Sequence, residues 1–259
     1  MRLSGTGIST PFELKVTKYR PITTYGIEWI KTSSGNYVST DRGASNDTYE
    51  SEIVVSGHEY YINQVLSAIQ DNRAADNHVL SLDTFNQVDD KIFGCDVDYS
   101  SGVTCTVVKL SSRKQRSWRG FGVTMILRAL SPSFTGSASL PALQYIPKGY
   151  EGDATYTVTK YDTYDGSFTY LDEEYDAGQW TGDVILTSAN MQGLRRYLAT
   201  QRGSTISIPA IAGVAYPYGP RRGSTYPLSV KVTEFKDNGM WGEGYWTATL
   251  TLNEVVSET

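Results

Sequence analysis

The chain has 259 residues, with 23 Lys and Arg against 28 Asp and Glu, for a formal net charge of −5. It therefore lacks the basic excess that general nucleic-acid binding draws on. Apolar residues make up 39% of the chain, and no run approaches the roughly eighteen uninterrupted apolar residues of a membrane span, so no membrane insertion is expected.

The opening Met1-Arg2-Leu3-Ser4-Gly5-Thr6-Gly7 is too polar for the apolar centre of a secretory leader. A reducing compartment follows as the expectation, and Cys95 and Cys105 then read as small buried hydrophobes. Phe12-Glu13-Leu14-Lys15-Val16-Thr17-Lys18-Tyr19 alternates apolar and polar and predicts a half-buried strand. A long polar hairpin over 31–47 and the strand Ile53-Val54-Val55-Ser56 come next. A helix is predicted over 58–71, where Tyr61, Ile62, Val65, Leu66 and Ile69 share one face. Ser56 and Glu59 have the spacing of a capping box in front of it. Strands are predicted over 103–110 and 120–127, joined by a basic turn that carries Arg113, Lys114, Arg116, Trp118 and Arg119. The segment 131–153, with Pro132, Gly136, Pro141, Pro147 and Gly149, reads as a connector, and Leu140, Leu143, Tyr145 and Ile146 make it a strap rather than a free tether.

Tyr156-Thr157-Val158-Thr159-Lys160-Tyr161 alternates again, followed by a polar hairpin over 162–180 that holds the run Asp172-Glu173-Glu174-Tyr175-Asp176. The strand Val184-Ile185-Leu186-Thr187 leads into a second predicted helix over 190–199, with Met191, Leu194 and Leu198 on one face, Ser188 as N-cap and Gly203 as stop. Strands over 230–235 and 246–252 close the chain.

The halves repeat. Val16-Thr17-Lys18-Tyr19 recurs as Val158-Thr159-Lys160-Tyr161, Ile53-Val54-Val55-Ser56 matches Val184-Ile185-Leu186-Thr187, and the strand from Gly120 matches the one from Gly244. Each half runs strand, long hairpin, strand, helix, extended chain, terminal hairpin. The expected architecture is mainly β (β+α): two tandem sandwich- or barrel-like domains over 1–131 and 153–259, joined by a connector over 132–152. Each domain carries one short amphipathic helix packed beside its sheet.

Two tandem β domains with helices over 58–71 and 190–199, and terminal hairpins ending at Leu130 and Glu254, resemble the tail-tube fold of tailed bacteriophages. That family includes tail-tube subunits, distal tail proteins and baseplate hub proteins. The resemblance rests on element order over essentially the whole chain and brings no catalytic motif. It implies a structural virion protein, assembled in the host cytoplasm, that forms a tail ring with copies of itself and contacts other phage tail proteins. Tube-like single domains form rings of six, so a duplicated chain is expected to form a pseudo-sixfold trimer, with a hexamer as the other option. DNA would pass through the ring transiently and without specific binding.

The remaining constellations are weighed by their chemistry. Asp172, Glu173, Glu174 and Asp176 sit together in a polar hairpin, without the separately buried acid that a glycosidase pair requires. They read as solvated acids or as subunit-interface and lumen residues. Asp96-Val97-Asp98 and Asp89-Asp90 lack the spacing of a calcium loop and read as turns with solvated acids. Arg113, Lys114, Arg116 and Arg119 are read as pairing with the acidic hairpin of an adjacent subunit in preference to nucleic acid. The apolar stretch over 206–215 is read either as a buried strand entering a loop or as an interface edge joined by Arg221 and Arg222. Cys95, Cys105, His58 and His78 match no short-spaced zinc motif, and no triad or phosphate loop can be assembled. No cofactor and no enzymatic activity are expected. The alternative function is a carbohydrate-binding β-sandwich acting as a receptor-binding or adhesin module, which would require Trp118, Trp180, Trp241 and Trp246 to offer exposed stacking faces.

Overall fold

The computed structural model describes residues 1–32, 36–75, 78–83, 91–111, 114–115, 120–146, 151–153, 157–162, 168–173, 178–215, 217–218, 226–242 and 244–255, with backbone alone at 115, 151–153, 157–162 and 168–173. The first part of the chain forms β1 (Arg2–Gly5), β2 (Phe12–Glu13), β3 (Val16–Thr24), β4 (Ile27–Lys31), β5 (Tyr37–Asp41), β6 (Thr48–Gly57), α1 (Glu59–Ala74), β7 (Leu80–Asp83), β8 (Val103–Leu110), β9 (Lys114–Gln115) and β10 (Phe121–Ala129). The second part forms β11 (Leu143–Tyr145), β12 (Glu151–Asp153), β13 (Thr157–Asp162), β14 (Phe168–Glu173), β15 (Gln179–Thr187), α2 (Ser188–Gln201), β16 (Ile206–Ile208), β17 (Ile211–Ala212), β18 (Leu228–Gly242) and β19 (Tyr245–Glu254). The fold is mainly β, with two α-helices and two large sheets among the described residues.

The first sheet runs β2-β1-β7-β8-β10-β6-β3, with β9 also on β10, and curls into a half-barrel. The second runs β16-β18-β19-β15-β11-β17, with β12 also on β15, and nearly closes into a barrel. The alternation that predicts strands places the cores. Tyr49, Ile53 and Val55 on β6 and Val123, Met125 and Leu127 on β10 point inward to meet Ile62, Val65 and Ile69 of α1. Trp180, Val184 and Leu186 on β15 and Trp246, Ala248 and Leu250 on β19 do the same beneath Met191, Leu194 and Leu198 of α2. Each fully buried Ile, Leu, Val or Met is worth about 1.5–3 kcal/mol.

The two sheets repeat one connectivity. β8-β10-β6 and β18-β19-β15 are the same antiparallel ladder, and in each the last of these strands, β6 or β15, leads directly into the helix. Tyr19 on β3 lies opposite Ile53, and Tyr145 on β11 lies opposite Val184. The separate two-stranded hairpins β4-β5 and β13-β14 occupy the same place in the two orders.

Several expectations from sequence are corrected. Val158-Thr159-Lys160-Tyr161 belongs to β13, which pairs only with β14, so it is not the counterpart of Val16-Thr17-Lys18-Tyr19 on β3. That counterpart is β11 together with β12, which both pair with β15. Part of the expected connector 132–152 is therefore strand in the second sheet. The closing strands align one residue away from the match read in sequence. Val123 faces Val55 as Trp246 faces Leu186, and a one-residue slip would have turned each apolar set to the wrong face. Cys95 and Cys105 are free and buried, and burial pushes both thiols up to about 12.

The helix starts also differ from the expected caps. Ser56 belongs to β6 and caps nothing. His58 is the N-cap of α1 and makes no side-chain cap hydrogen bond. The N-cap of α2 is Thr187 rather than Ser188, and its hydroxyl accepts from the Asn190 N–H at 3.3 Å. The two N-caps have nearly the same backbone, φ −65° and ψ 157° at His58 against φ −64° and ψ 160° at Thr187. A small hydroxyl at position 58 would therefore reach the same donor. In urea unfolding, Thr187→Ala is expected to cost about 1 kcal/mol and His58→Ser to gain several tenths to about 1 kcal/mol. Equal effects at the two positions would contradict the capping geometry.

Candidate functional site

Among the described residues, the most highly organised polar structure lies where the two repeats meet. Arg195 projects from the third turn of α2 and is fully buried, with no exposed side-chain surface. Its Nε donates to Asp96 Oδ1 at 2.6 Å, Nη1 to Asp237 Oδ2 at 2.6 Å, and Nη2 to Thr23 Oγ1 at 2.7 Å and to the Phe93 carbonyl at 3.1 Å. Thr23, Phe93 and Asp96 come from the first repeat, Arg195 and Asp237 from the second. The guanidinium lies against the backbone of Gly94, where any β-carbon would collide with it, and Gly94 also takes a φ of 114° that favours glycine. The Tyr25 hydroxyl donates to the Arg195 carbonyl at 3.0 Å, so the helix backbone is held as well as the side chain.

One guanidinium and two carboxyl groups are held together out of water. Burial pushes the Asp237 carboxyl up, opposed by the Arg195 charge and by the Gly239 N–H that donates to its Oδ1 at 2.8 Å. Burial alone would lower Arg195, but Asp96 and Asp237 hold it well above its ordinary value. The Tyr25 phenol is raised by burial, so it is a donor and not a titrating group.

A second clamp closes the C-terminal end of α2. Arg202 takes a left-handed conformation with φ 44° as the C-cap, and Gly203 follows at φ 79°. The turn swings the Arg202 side chain onto the first repeat. Its Nε and Nη2 donate to the two oxygens of Asp41 at 2.7 and 2.6 Å, and Nη1 donates to Asp47 Oδ2 at 2.9 Å. The hydrogen bonds from Arg202, and then the Gly43 N–H, hold the Asp41 carboxyl below its ordinary value. Beside this clamp Ser39 Oγ donates to the Gly203 carbonyl at 3.2 Å. On the far flank Gln192 Nε2 donates to Thr135 Oγ1 at 2.6 Å, and the Arg196 guanidinium lies 4.2 Å from the centre of the Phe134 ring. A cavity of about 210 Å³ remains in the seam, lined by Tyr25, Trp29, Leu198, Ile206 and Phe235 among others.

Three of the residues singled out from sequence, Lys114, Asp172 and Glu173, belong to described strands. Lys114 is exposed on β9, opposite Gly122. Asp172 and Glu173 lie on β14, opposite Val158 and Thr157. Arg113, Arg116, Arg119, Glu174, Arg221 and Arg222 lie outside the described residues, as do Asp89, Asp90 and Trp118. The reading of Asp96 as a solvated turn acid is corrected: it is 1% exposed and pairs with Arg195. Asp98 is the turn acid, accepting from the Ser100 N–H at 2.9 Å. Trp180 and Trp246 are core residues and offer no stacking face, whereas Trp241 is 61% exposed. Neither Arg195 nor Asp237 is among the residues the sequence singles out, although each leaves a signal there. Arg195 interrupts the apolar stripe of Met191, Leu194 and Leu198, and Asp237 follows directly on an otherwise strand-like run.

Counted from the N-caps, Ile62, Val65 and Ile69 of α1 coincide with Met191, Leu194 and Leu198 of α2, which places Leu66 at the position of Arg195 and Arg73 at that of Arg202. Leu110 stands opposite Met125 where Asp237 stands opposite Ala248, so the first repeat carries leucine at both positions of the ion pair. No protein-family model matches this chain, and no curated protein matches it in sequence.

Two expectations follow from the seam. Arg195→Met strands two buried carboxylates and is expected to cost about 3–5 kcal/mol in urea unfolding. The triple change Arg195→Leu, Asp237→Leu and Asp96→Asn, which installs the leucines of the first repeat, is expected to recover much of that loss. A triple variant no better than Arg195→Met would contradict the charge-stranding account. The Asp41 carboxyl, held low when folded, supplies a stabilisation that is complete above its unfolded value of about 3.9. That stabilisation is lost as pH falls through the depressed folded value. Carboxyl NMR titration should place Asp41 below the ordinary range and return it there in Arg202→Gln; an unmoved titration would contradict the clamp.

Proposed function

We propose that this protein is a structural virion protein that forms a ring of a phage tail, in the tail tube or in the distal tail and baseplate hub. The reading is carried by one observation: the two repeats join through non-equivalent faces. The first repeat contributes β3, the β4-β5 hairpin and the loop at Asp96, while the second contributes α2 and β18. An interface between unlike faces leaves a complementary face at each end of the pair, and its repetition between chains yields a closed ring or an open helix. Three chains would supply six repeats.

The resemblance to tail-tube proteins in element order supports the closed ring, and so does the sheet curvature. An acidic balance suits a conduit that must not hold DNA, since each neutralised phosphate would add affinity. In this reading DNA passes through the ring without specific binding, the other partners are further tail proteins, and the protein resides in the virion.

Mass photometry and negative-stain electron microscopy of the purified protein are expected to find trimers with an annular outline. A strict monomer at tens of micromolar, with no rings, would overturn the reading. Tight salt-sensitive binding to duplex DNA would overturn the conduit role.

A further inference from the structure

The seam inside the chain covers one flank of α2, formed by Gln192, Arg195, Ala199 and Arg202, where it meets the first repeat. The matching flank of α1 is formed by Asn63, Leu66, Gln70 and Arg73. There Asn63, Gln70 and Arg73 are exposed and Leu66 is half-buried. The N-terminal segment does not cover this flank, because it packs on the other side of α1. There Asn72 Nδ2 donates to the carbonyls of Thr6 and Val79 at 2.9 and 3.0 Å, and Tyr61 Oη donates to the Glu13 carbonyl at 3.2 Å. On β8, Val108 is 47% exposed, and Leu110 is half-buried against the same core as Leu66. Arg73 makes no ion pair among the described residues, whereas its counterpart Arg202 binds two carboxylates.

The complementary surface lies on the second repeat. What covers α2 is the first repeat's β3, its β4-β5 hairpin, the turn into β6 and the loop that carries Phe93 and Asp96. In chain order the second repeat's equivalents are β11 with β12 and the β13-β14 hairpin. Asp41, the first acid clamped by Arg202, is the last residue of β5, and Glu173 is the last residue of β14. The chain continues as Glu174-Tyr175-Asp176 before β15, as it continues to Asp47 before β6.

From this correspondence we infer that the open flank of α1, with Leu66, Arg73 and the β8 residues Val108 and Leu110, docks a second copy of this chain through that copy's β13-β14 hairpin. Arg73 takes the acidic end of β14 at Glu173 as Arg202 takes Asp41. The occupant is a second copy rather than an unrelated partner because the contact continues a seam the chain already makes with itself, with the same charge order on the same elements. This rests on the ring reading and names the surface that closes it.

Arg73 is exposed and makes no ion pair among the described residues, so Arg73→Glu is expected to fold as the parent does, judged by circular dichroism and urea midpoint. Its self-association should weaken by about tenfold or more, and the weakening should be largely reversed when Glu173→Arg is added. Separately prepared Arg73→Cys and Glu173→Cys chains, mixed and oxidised, should give a covalent dimer. Cys95 and Cys105 are buried and do not compete. A parent chain that never self-associates would overturn both the ring reading and this surface. A parent that assembles while Arg73→Glu assembles equally well and the paired cysteines stay reduced would overturn this surface alone and leave the ring reading standing.

Discussion

The arrangement of the molecule depends on one guanidinium held between two carboxylates in the absence of water. Arg195, Asp96 and Asp237 are each 1% exposed or less. Taking such charges from water costs several kcal/mol per ion, and only well-aligned partners repay it. Four directed hydrogen bonds from Arg195 meet that condition, and they draw acceptors from both repeats. Apolar burial would hold the two repeats together in many relative positions, because dispersion contacts are weakly directional. The Arg195 cluster tolerates one, since a shift of an ångström strands a carboxylate. Its contribution is therefore registry more than net stability, and the leucines at the same two positions of the first repeat show that the local fold does not require the charges.

Everything that faces the seam is disposed around that registry. The φ of 114° at Gly94 admits the guanidinium, and Tyr25 fixes the α2 backbone at the same residue. The left-handed turn at Arg202 and Gly203 brings a second cation over Asp41 and Asp47. This outer clamp is partly solvated, so its strength is screened where that of the inner one is not. The inner cluster sets position, and the outer clamp, with Ser39 on Gly203, orients the β4-β5 hairpin along the end of the helix.

What the amino-acid pattern discloses and what it hides divide along physical lines. Period-two alternation marks residues that have one wet and one dry face, so β8 emerges with the bounds expected of it, and β6 and β15 emerge as matching strands before matching helices. The same alternation is blind to which strand neighbours which. Val16-Thr17-Lys18-Tyr19 and Val158-Thr159-Lys160-Tyr161 look alike because both suit a half-exposed strand, although one pairs with β6 and the other with β14. The true counterpart of β3 is broken into β11 and β12 around proline- and glycine-rich chain, which reads as a connector because its breaks are more visible than its short strands. The seam was hidden for another reason. A lone Arg on an apolar helix face and a lone Asp near a strand end both look like surface residues until the long-range partner is placed, and Asp96 lies 99 positions from Arg195 in the chain.

The unlike chemistry of the two equivalent faces has a consequence for assembly. The seam within a chain forms once, during folding, between segments that are tethered together, so two carboxylates and a guanidinium can be desolvated in concert. A face that must wait in water for another copy cannot carry the same triad cheaply. Before docking, its carboxylates would be hydrated, and on docking they would have to be stripped in an encounter with no tether to hold the geometry. Leu66 and Leu110 in place of Arg195 and Asp237 would remove that barrier in the proposed ring, and Arg73 would keep the steering charge where water can still screen it. In the proposed ring the two kinds of seam would therefore share a shape and differ in reversibility: one fixed at folding by buried charge, the other formed between finished surfaces by apolar contact and a solvated ion pair, and so the one that salt and concentration control.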